Sequence, residues 1–364
     1  MTDRDYMLMA IELAKRGWGH TNPNPLVGAV IVKDDRIIGE GYHHKYGDKH
    51  AERDAIANLS ESAKGATIYV TLEPCCHHGK QPPCTEAIVE QQIARVVIGS
   101  RDPNPLVSGK GTAYLRDHGI EVIEDFMRDE CDELNPVFFH YITTKTTYVV
   151  MKYAMTMDGK IATRTGESKW ITLDEARRHV HKERSRYSAI LAGIGTVKAD
   201  DPMLNVRDID NPHQPLRVIA DSKLSISLDS AIVKSASDYK TVIACANIDM
   251  LLDKKKALED RGIKVLELEG ADGKVDLKAL TAWLYDNGYD SLYIEGGGHI
   301  HEAALSAGIV NHVSLYMAPK IFGGAGALSP VEGLGVESPS MAYRFKLTKI
   351  TPLGQDVLMS FDKE

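Results

Sequence analysis

The residues best suited to chemistry in this sequence are one histidine, two cysteines and one glutamate. His50 and Glu52 stand two positions apart, and Cys75 and Cys84 follow downstream, each directly after a proline. One imidazole and two thiolates make a tetrahedral zinc site with one open position. A water in that position has its pKa lowered to about 7, which gives hydroxide at neutral pH. Glu52 is placed to deprotonate the water and then to protonate a leaving amine.

The third zinc ligand is open to more than one interpretation. The pattern H-x-E…P-C is typical of zinc-dependent nucleobase deaminases, whose two cysteines are usually spaced C-x-x-C. Here a longer insert separates Cys75 from Cys84, so Cys76 or His77 is an alternative ligand. We favour Cys84, because the insert is typical of a loop that returns the chain to the metal. A helix that starts at Cys84 would also favour its thiolate.

The elements around these residues predict an α/β unit over residues 1–145. The glutamate lies in the first turn of a helix at 51–59, a strand at 67–72 leads to the first cysteine, and a helix at 84–92 starts at the second. A second α/β unit is expected over 146–364, because 364 residues suffice for about two domains. Its predicted strands are 148–153, 189–192, 217–220, 241–244, 264–268, 291–294 and 313–317, and its helices include 174–186 and 276–286.

Two glycine-rich turns follow predicted strands in the second half. The first is Gly193-Ile194-Gly195-Thr196, and the second is Glu295-Gly296-Gly297-Gly298-His299, which precedes a helix. Backbone amides in such turns approach a pyrophosphate closely, and a helix N-terminus favours its charge. Position 301 is His where a dinucleotide fingerprint would have its third Gly. We therefore predict a nucleotide cofactor bound by Gly193, Gly195, Gly296, Gly297, Gly298 and His299 in a fold other than the Rossmann fold.

Taken together, these motifs resemble the bifunctional riboflavin-biosynthesis deaminase/reductase family. The resemblance is carried by residues 21–28 (TNPNPLVG), 50–52 (HAE), 73–84, 155–162 (MTMDGKIA), 193–196, 200–204 (DDPML) and 295–298. One departure is Gln81, where the family pattern has Thr. The resemblance implies a cytidine-deaminase-like three-layer domain followed by a dihydrofolate-reductase-like α/β domain.

The resemblance also implies two reactions on one small phosphorylated pyrimidine. Zinc-dependent hydrolysis would remove the C2 amine of 2,5-diamino-6-ribosylamino-4(3H)-pyrimidinone 5′-phosphate. NADPH would then reduce the ribosyl group to ribityl. By the same resemblance Ala154, Trp170, Thr196 and Asp200 lie along the cofactor with Ser222 near its adenosine end, and Ser168, Leu204 and Glu295 face the substrate. Packing in the core is the alternative for Trp170 and Leu204, and a simple turn is the alternative for Ser222.

The reduction places its own demands on the second half. Hydride transfer to C1′ needs a nearby acid, for which Asp200 or Lys152 is suitable, and Asp201 beside Asp200 leaves that assignment open. The 5′-phosphate needs cations, and a guanidinium meets phosphate with two parallel hydrogen bonds. Arg184 and Arg207 are the predicted phosphate contacts. Their alternative role is solvated surface charge.

Contacts with the pyrimidine nucleotide in the first half rest on turn-forming residues. The candidates are Asn24 for the pyrimidine edge, Lys80 for the ribose phosphate, and Asp102 and Asn104 for the sugar. Ordinary turn chemistry explains Asn and Asp at such positions as well. Of His43 and His44, one is expected to contact substrate or to support the zinc ligands.

Composition narrows the function classes. Lys and Arg number 43 against 51 Asp and Glu, a net charge of −8, which speaks against a deaminase of nucleic acid. A structural zinc site in a nucleotide-binding protein is the other alternative, but such sites usually have four protein ligands. No segment has the roughly 20 apolar residues of a membrane span, and no apolar signal core follows Met1. We therefore expect a cytoplasmic location, no membrane contact and, from the resemblance, a homodimer.

Overall fold

The computed structural model describes residues 1–79, 81–105, 107–249 and 251–364. The chain folds into two compact units, Met1–Lys145 (unit 1) and Thr146–Glu364 (unit 2). Both units alternate helices with strands, so the predicted α/β class is confirmed. Among the described residues, no helix combines the length and apolarity that crossing a membrane requires.

Unit 1 is a five-stranded sheet with helices on both faces. Its elements are α1 Asp3–Ala14, β1 Gly28–Lys33, β2 Arg36–Tyr42, α2 Ala51–Ala57, β3 Thr67–Leu72, α3 Cys84–Glu90, β4 Arg95–Ser100, α4 Lys110–Asp117, β5 Glu121–Ile123, α5 Arg128–Asp132 and α6 Pro136–Thr144. The strand order is β2-β1-β3-β4-β5. β1 runs antiparallel to β2 and β3, while β3, β4 and β5 are parallel.

The central strand β3 explains the three layers of unit 1. Ile68 and Val70 point into a core shared with α2, α3 and α4, whereas Tyr69 points into a core shared with α1 and α5. Successive side chains of a strand face opposite sides of the sheet, so burial of both faces requires apolar residues at nearly every position. The prediction of a three-layer domain is confirmed.

Unit 2 is built on a nine-stranded sheet. Its elements are β6 Tyr148–Thr156, α7 Asp174–Arg186, β7 Ala189–Gly193, α8 Ile194–Asp200, β8 Leu216–Ala220, α9 Ala231–Lys234, β9 Thr241–Cys245, α10 Leu252–Glu259, β10 Lys264–Glu267, α11 Leu277–Asp286, β11 Ser291–Gly296, α12 Gly298–Ser306, β12 His312–Ala318, β13 Phe345–Leu353 and β14 Asp356–Lys363. The strand order is β10-β9-β8-β7-β11-β6-β12-β14-β13. The first seven strands of that order are parallel.

The C-terminal hairpin β13–β14 was not predicted from the sequence. β14 pairs antiparallel with β12, and β13 forms the outer edge of the sheet. Most of β13 is exposed, including Lys346, Thr348 and Lys349. An exposed edge strand carries little of the apolar pattern by which strands are recognised, because it has no second layer to pack against.

Candidate active sites

Three ligand atoms converge in unit 1. His50 Nδ1 lies 3.4 Å from the Sγ atoms of both Cys75 and Cys84, and the three ligand atoms all lie within 4.8 Å of one another. A tetrahedral zinc ion with its usual bond lengths separates N and S ligands by roughly 3.5 Å, so this set fits the ion. The structure groups His50 with Cys84 and leaves Cys76 and His77 outside the cluster.

Each ligand comes from the end of a regular element. His50 directly precedes α2, Cys75 follows β3, and Cys84 is the first residue of α3. Glu52 lies in the first turn of α2 and is 3% exposed. This placement brings together residues from three separate segments of the chain.

The surroundings of the two thiols favour ionisation of Cys75 and protonation of Cys84. Hydrogen bonding from Cys84 and then from His50 lowers the pKa of Cys75 to about 4, despite burial. The same bond and burial raise the pKa of the Cys84 thiol. A bound cation would stabilise both thiolates at once. Burial also raises the pKa of Glu52, so this carboxyl group is suited to holding a proton.

Arg53 supports the turn that carries Cys84, a role that the sequence analysis missed. Its Nε donates to the carbonyl oxygen of Pro82 at 3.0 Å, and its Nη2 donates to that of Pro83 at 2.7 Å. Backbone carbonyl oxygens away from water need hydrogen-bond donors, and Arg53 supplies them to both prolines of this turn. The available sequence signal was an arginine directly after H-x-E.

Glu73 anchors the other ligand-bearing turn and was likewise missed. Its buried carboxylate accepts from the amides of Gly109, Gly111 and Thr112 at 3.1, 3.1 and 3.3 Å, and from the Thr112 hydroxyl at 3.3 Å. These donors lie at the N-terminus of α4, where negative charge is favoured. Glu73 therefore ties the chain just before Cys75 to the next helix.

A cavity of about 250 Å³ opens beside the ligand cluster. Its lining includes Asn24, His43, His50, Glu52, Cys75, His77, Asp102 and Asn104. Burial raises the pKa of Asp102 to about 6, and its Oδ1 accepts from the Asn104 amide at 2.8 Å. His44 is not among the lining residues and instead meets Asp54 at 2.9 Å. Lys80 lies outside the described residues.

In unit 2 the two glycine-rich turns lie side by side. They follow β7 and β11, which are parallel neighbours, so both turns leave the same edge of the sheet. Thr196 Oγ1 lies only 3.3 Å from where a Cβ on Gly297 would be, and Gly296 has φ +136°. A Cβ on Gly193 would meet Ile300 at 2.7 Å. These positions need glycine.

The remaining turn residues differ in their surroundings. A Cβ on Gly195 would meet nothing within 4 Å, whereas one on Gly298 would meet Glu332 at 2.5 Å. His299 is exposed, and its Nε2 lies 3.7 Å from Glu332. The space beside Gly195 is therefore free of neighbouring atoms, whereas the side chain of Glu332 fills the space beside Gly298.

The two adjacent aspartates have different partners. Asp200 Oδ1 accepts from the Ser168 hydroxyl at 3.3 Å. Asp201 turns the other way and accepts from the Ala231 amide at 2.8 Å, at the start of α9. Asp200 is therefore the one beside a predicted substrate contact. Trp170 is 60% exposed and lies under the Arg177 guanidinium at 4.6 Å, so it is not a core aromatic.

Three other predicted contacts occupy mixed positions. Ala154 lies in β6 beside Tyr316 and is half-buried. Ser222 Oγ accepts from the Val275 amide at 3.1 Å. Leu204 is 4% exposed and packs in the core, so only its backbone, at φ +49°, is left for contact with a substrate.

A buried acid lies between two cations at the end of β11. Arg184 Nη2 donates to Glu295 Oε2 at 2.7 Å, and Lys152 Nζ lies 3.8 Å from the same oxygen. Burial opposes ionisation of Glu295, but Arg184 and Lys152 outweigh it and lower its pKa to about 2. Burial lowers the pKa of Lys152. Arg184 Nη1 also donates to the Asn205 carbonyl at 3.0 Å, so the alternative role of solvated surface charge is wrong for Arg184.

Arg207 stands next to this group with an exposed side chain. Its amide donates to His181 Nδ1 at 3.3 Å. Burial, then Arg184 and Arg207, lower the pKa of His181 to about 4. Glu295 and Asp208 oppose this shift, so His181 lies among two cations and two acids.

Comparisons with known proteins cover both units. The family described as "Cytidine and deoxycytidylate deaminase zinc-binding region" matches residues 1–100, and the family described as "RibD C-terminal domain" matches residues 147–359. The chain is 51% identical over 361 residues to riboflavin biosynthesis protein RibD of Actinobacillus pleuropneumoniae, covering 99% of this chain and 95% of that protein. It is 39% identical to the Escherichia coli K12 protein of the same name, covering 99% of each.

Solved structures agree over the full length. A diaminohydroxyphosphoribosylaminopyrimidine deaminase/5-amino-6-(5-phosphoribosylamino)uracil reductase from Thermotoga maritima matches with a TM-score of 0.88 and 38% identity, covering 100% of this chain and 99% of that one. RibD of Acinetobacter baumannii matches with a TM-score of 0.87 and 38% identity over the same shares. The likeness therefore extends to both units of one chain.

Proposed function

The chain belongs to the RibD family of bifunctional riboflavin-biosynthesis deaminase/reductases, and on that premise we propose which reaction each unit catalyses. Unit 1 removes the C2 amine of 2,5-diamino-6-ribosylamino-4(3H)-pyrimidinone 5′-phosphate. Unit 2 then reduces the ribosyl group to ribityl, giving 5-amino-6-ribitylamino-uracil 5′-phosphate. The observation that carries the proposal is the His50–Cys75–Cys84 cluster with buried Glu52 at its cavity.

In unit 1, His50, Cys75 and Cys84 would hold zinc. When bound, zinc supplies a Lewis acid that lowers the pKa of water to about 7. Glu52 takes a proton from the water that attacks C2 and returns it to the departing nitrogen. The C2–O bond forms, the C2–N bond breaks and ammonia leaves. The burial that raises the pKa of Glu52 lets its carboxyl group hold the proton between these two transfers.

In unit 2, the paired glycine-rich turns would hold the pyrophosphate of NADPH. Ala154, Trp170, Thr196, Asp200 and Ser222 would lie along the rest of the cofactor, which supplies a hydride when bound. The open space at Gly195 and the exposed ring of Trp170 fit such a ligand. A ligand-binding site needs such accessible residues, whereas a hydrophobic core would bury them.

The substrate of unit 2 reacts as its open-chain imine. C1′ accepts the hydride, and the imine nitrogen takes a proton from a side chain. We assign that proton to Lys152, because burial lowers its pKa and Glu295 holds it in place. Asp200 accepts a hydrogen bond from the Ser168 hydroxyl and so orients this proposed substrate contact. Arg184 and Arg207 meet the 5′-phosphate, and Glu295 and the backbone of Leu204 complete the site.

A two-condition assay tests both reactions. The diaminopyrimidine substrate is incubated with the protein with and without NADPH, and ammonia and NADPH absorbance are followed. We expect ammonia in both conditions and NADPH oxidation that depends on prior deamination. Absence of ammonia would refute the deaminase assignment, and ammonia without NADPH consumption would refute the reductase assignment. Stripping the metal with a chelator should abolish ammonia release but spare reduction of the deaminated substrate.

We further propose that the chain is a cytoplasmic homodimer. The edge strand β13 exposes Leu347 and Ile350, an arrangement that natural sheets usually cover or blunt. Light scattering should give twice the chain mass of 40.1 kDa. A mass equal to one chain across a concentration series would contradict the dimer.

A further inference from the structure

His43 and Asn24 form a hydrogen-bonded pair on the wall of the unit 1 cavity. Asn24 Nδ2 lies 3.2 Å from His43 Nε2, and His43 Nδ1 lies 2.9 Å from the carbonyl oxygen of Lys49. The His43 ring is 2% exposed and meets the ligand His50 edge-on, with ring centroids 5.5 Å apart. Both Asn24 and His43 line the cavity that holds Glu52.

The tautomer of His43 follows from these partners. A carbonyl oxygen only accepts hydrogen bonds, so Nδ1 must carry the proton that points to Lys49. A neutral imidazole has one donor and one acceptor, so Nε2 is then an acceptor. Burial of the ring disfavours the doubly protonated form.

The tautomer of His43 in turn determines which way the side-chain carboxamide of Asn24 is oriented. Nε2 needs a donor, so the group of Asn24 that faces it is the NH₂ and not the oxygen. The backbone of Asn24 is also restrained, because its amide donates to Thr21 at 2.8 Å and a proline follows it. The carboxamide oxygen is left as the polar group that Asn24 offers to the cavity.

We propose that His43 is a positioning residue that orients Asn24 so that Oδ1 accepts a hydrogen bond from the substrate. The inference rests on the proposed deaminase function of unit 1. The proposed substrate offers three kinds of donor: the ring N3–H beside the reacting carbon, the exocyclic amines at C2, C5 and C6, and the ribose hydroxyls. All of them present the same chemistry to Oδ1. A ligand that offers only an acceptor at Oδ1 would place its lone pairs against those of Oδ1, and no hydrogen bond could form.

A double-mutant cycle tests whether His43 acts through Asn24. The variants are His43→Gln, Asn24→Ala and the double variant, with His118→Gln, an exposed histidine on the C-cap of α4, as the matched control. We expect each single change to raise KM for deamination about tenfold, the loss of one hydrogen bond, with kcat and zinc content nearly unchanged. The double variant should be no worse than Asn24→Ala. The control should match the unaltered protein.

Other results would overturn the proposal. KM effects that multiply in the double variant would mean that His43 acts independently of Asn24. Loss of zinc or of thermal stability in His43→Gln would mean that His43 supports the metal site or the fold. If the unaltered protein itself releases no ammonia, the proposed function fails first, so the two failures are distinguishable.

Substrate analogues identify the donor. Deoxyribosyl analogues and an N3-methyl analogue are compared in the unaltered protein and in Asn24→Ala. An Asn24 effect that vanishes with a deoxyribosyl analogue assigns the donor to a hydroxyl, and one that vanishes with the N3-methyl analogue assigns it to the ring. An effect that persists with both kinds of analogue assigns the donor to an exocyclic amine, and equal KM values of Asn24→Ala and the unaltered protein for the parent substrate would refute the acceptor role of Oδ1.

Discussion

Arg184 and Glu295 form an ion pair inside unit 2, with Nη2 2.7 Å from Oε2. Their side chains are 15% and 7% exposed, so water screens the pair only weakly. Arg184 comes from α7 and Glu295 from β11. The pair therefore joins a helix to the strand that carries the second glycine-rich turn, and it sets the charge around Lys152.

The Glu295→Gln variant should lose a defined part of the pH dependence of stability. The folded-state pKa of Glu295, about 2, lies below its ordinary 4.5. The ionised Glu295 therefore adds about 3 kcal/mol to the free energy of unfolding above pH 4.5, and this stabilisation is lost as the pH falls toward 2. Urea unfolding of the protein at pH values from 7 to 2 measures the loss. The free energy of unfolding of Glu295→Gln should be lower at pH 7 and flatter with pH, because two buried cations lose their partner.

Exposed Glu337 provides the control for this variant. Glu337→Gln should follow the pH curve of the unaltered protein. Parallel curves for Glu295→Gln and the unaltered protein would show that the ion pair does not hold the carboxylate ionised.

Replacing Glu52 by Gln should separate metal binding from catalysis. Gln keeps the size of Glu52 but cannot carry a proton between water and leaving amine, so deamination should fall by about 100- to 10,000-fold. Zinc content by metal analysis and reduction of the deaminated substrate should stay the same. Glu90→Gln, an exposed change on α3, should leave all three measurements unaltered. Full deamination by Glu52→Gln would favour a structural metal site.

A methyl group at Gly296 should weaken cofactor binding. Gly296 has φ +136°, a conformation that residues with a Cβ rarely adopt, so Gly296→Ala must shift the turn that faces Thr196. We expect KM for NADPH to rise at least tenfold while ammonia release is unchanged. Gly326→Ala is the control, because a Cβ there would meet nothing within 4 Å. An unchanged KM for NADPH in Gly296→Ala would place the cofactor elsewhere.

Arg217 should be irreplaceable by lysine. Its buried guanidinium donates to the carbonyls of Met203, Ile232 and Tyr239 at 3.0, 3.0 and 3.1 Å, and to the Thr241 hydroxyl. Lysine has three donors at one point and cannot reach acceptors arranged around a planar fork. Arg217→Lys should lower the free energy of unfolding by about 2 to 4 kcal/mol in urea.

Exposed Arg261 is the matched control for that change. Arg261→Lys should unfold at the same urea concentration as the unaltered protein. Equal stability of Arg217→Lys would mean that the buried carbonyls find other donors.

A further consequence of Arg217→Lys is a looser Met203–Leu204 turn, visible as a raised KM for the substrate of unit 2.

The sequence by itself determined the parts of this protein that local chemistry fixes. The spacing of His50, Glu52, Cys75 and Cys84 indicated a catalytic zinc site, because few other functions need those residue types together. Parallel strands buried on both faces are nearly continuous apolar runs, so the seven parallel strands of unit 2 were predictable with errors of up to three residues at the strand ends.

Tertiary structure alone decided which distant residues meet. Nothing in the sequence pairs β7 with β11, yet that pairing puts the two glycine-rich turns side by side. The sequence also does not show that Asp201 accepts a hydrogen bond from the first residue of α9 while Asp200 accepts one from Ser168. Nor does the sequence show that Arg184 pairs with Glu295. The physical reason is that hydrogen bonds and ion pairs of buried polar groups are settled by whichever partners the packed core brings within reach.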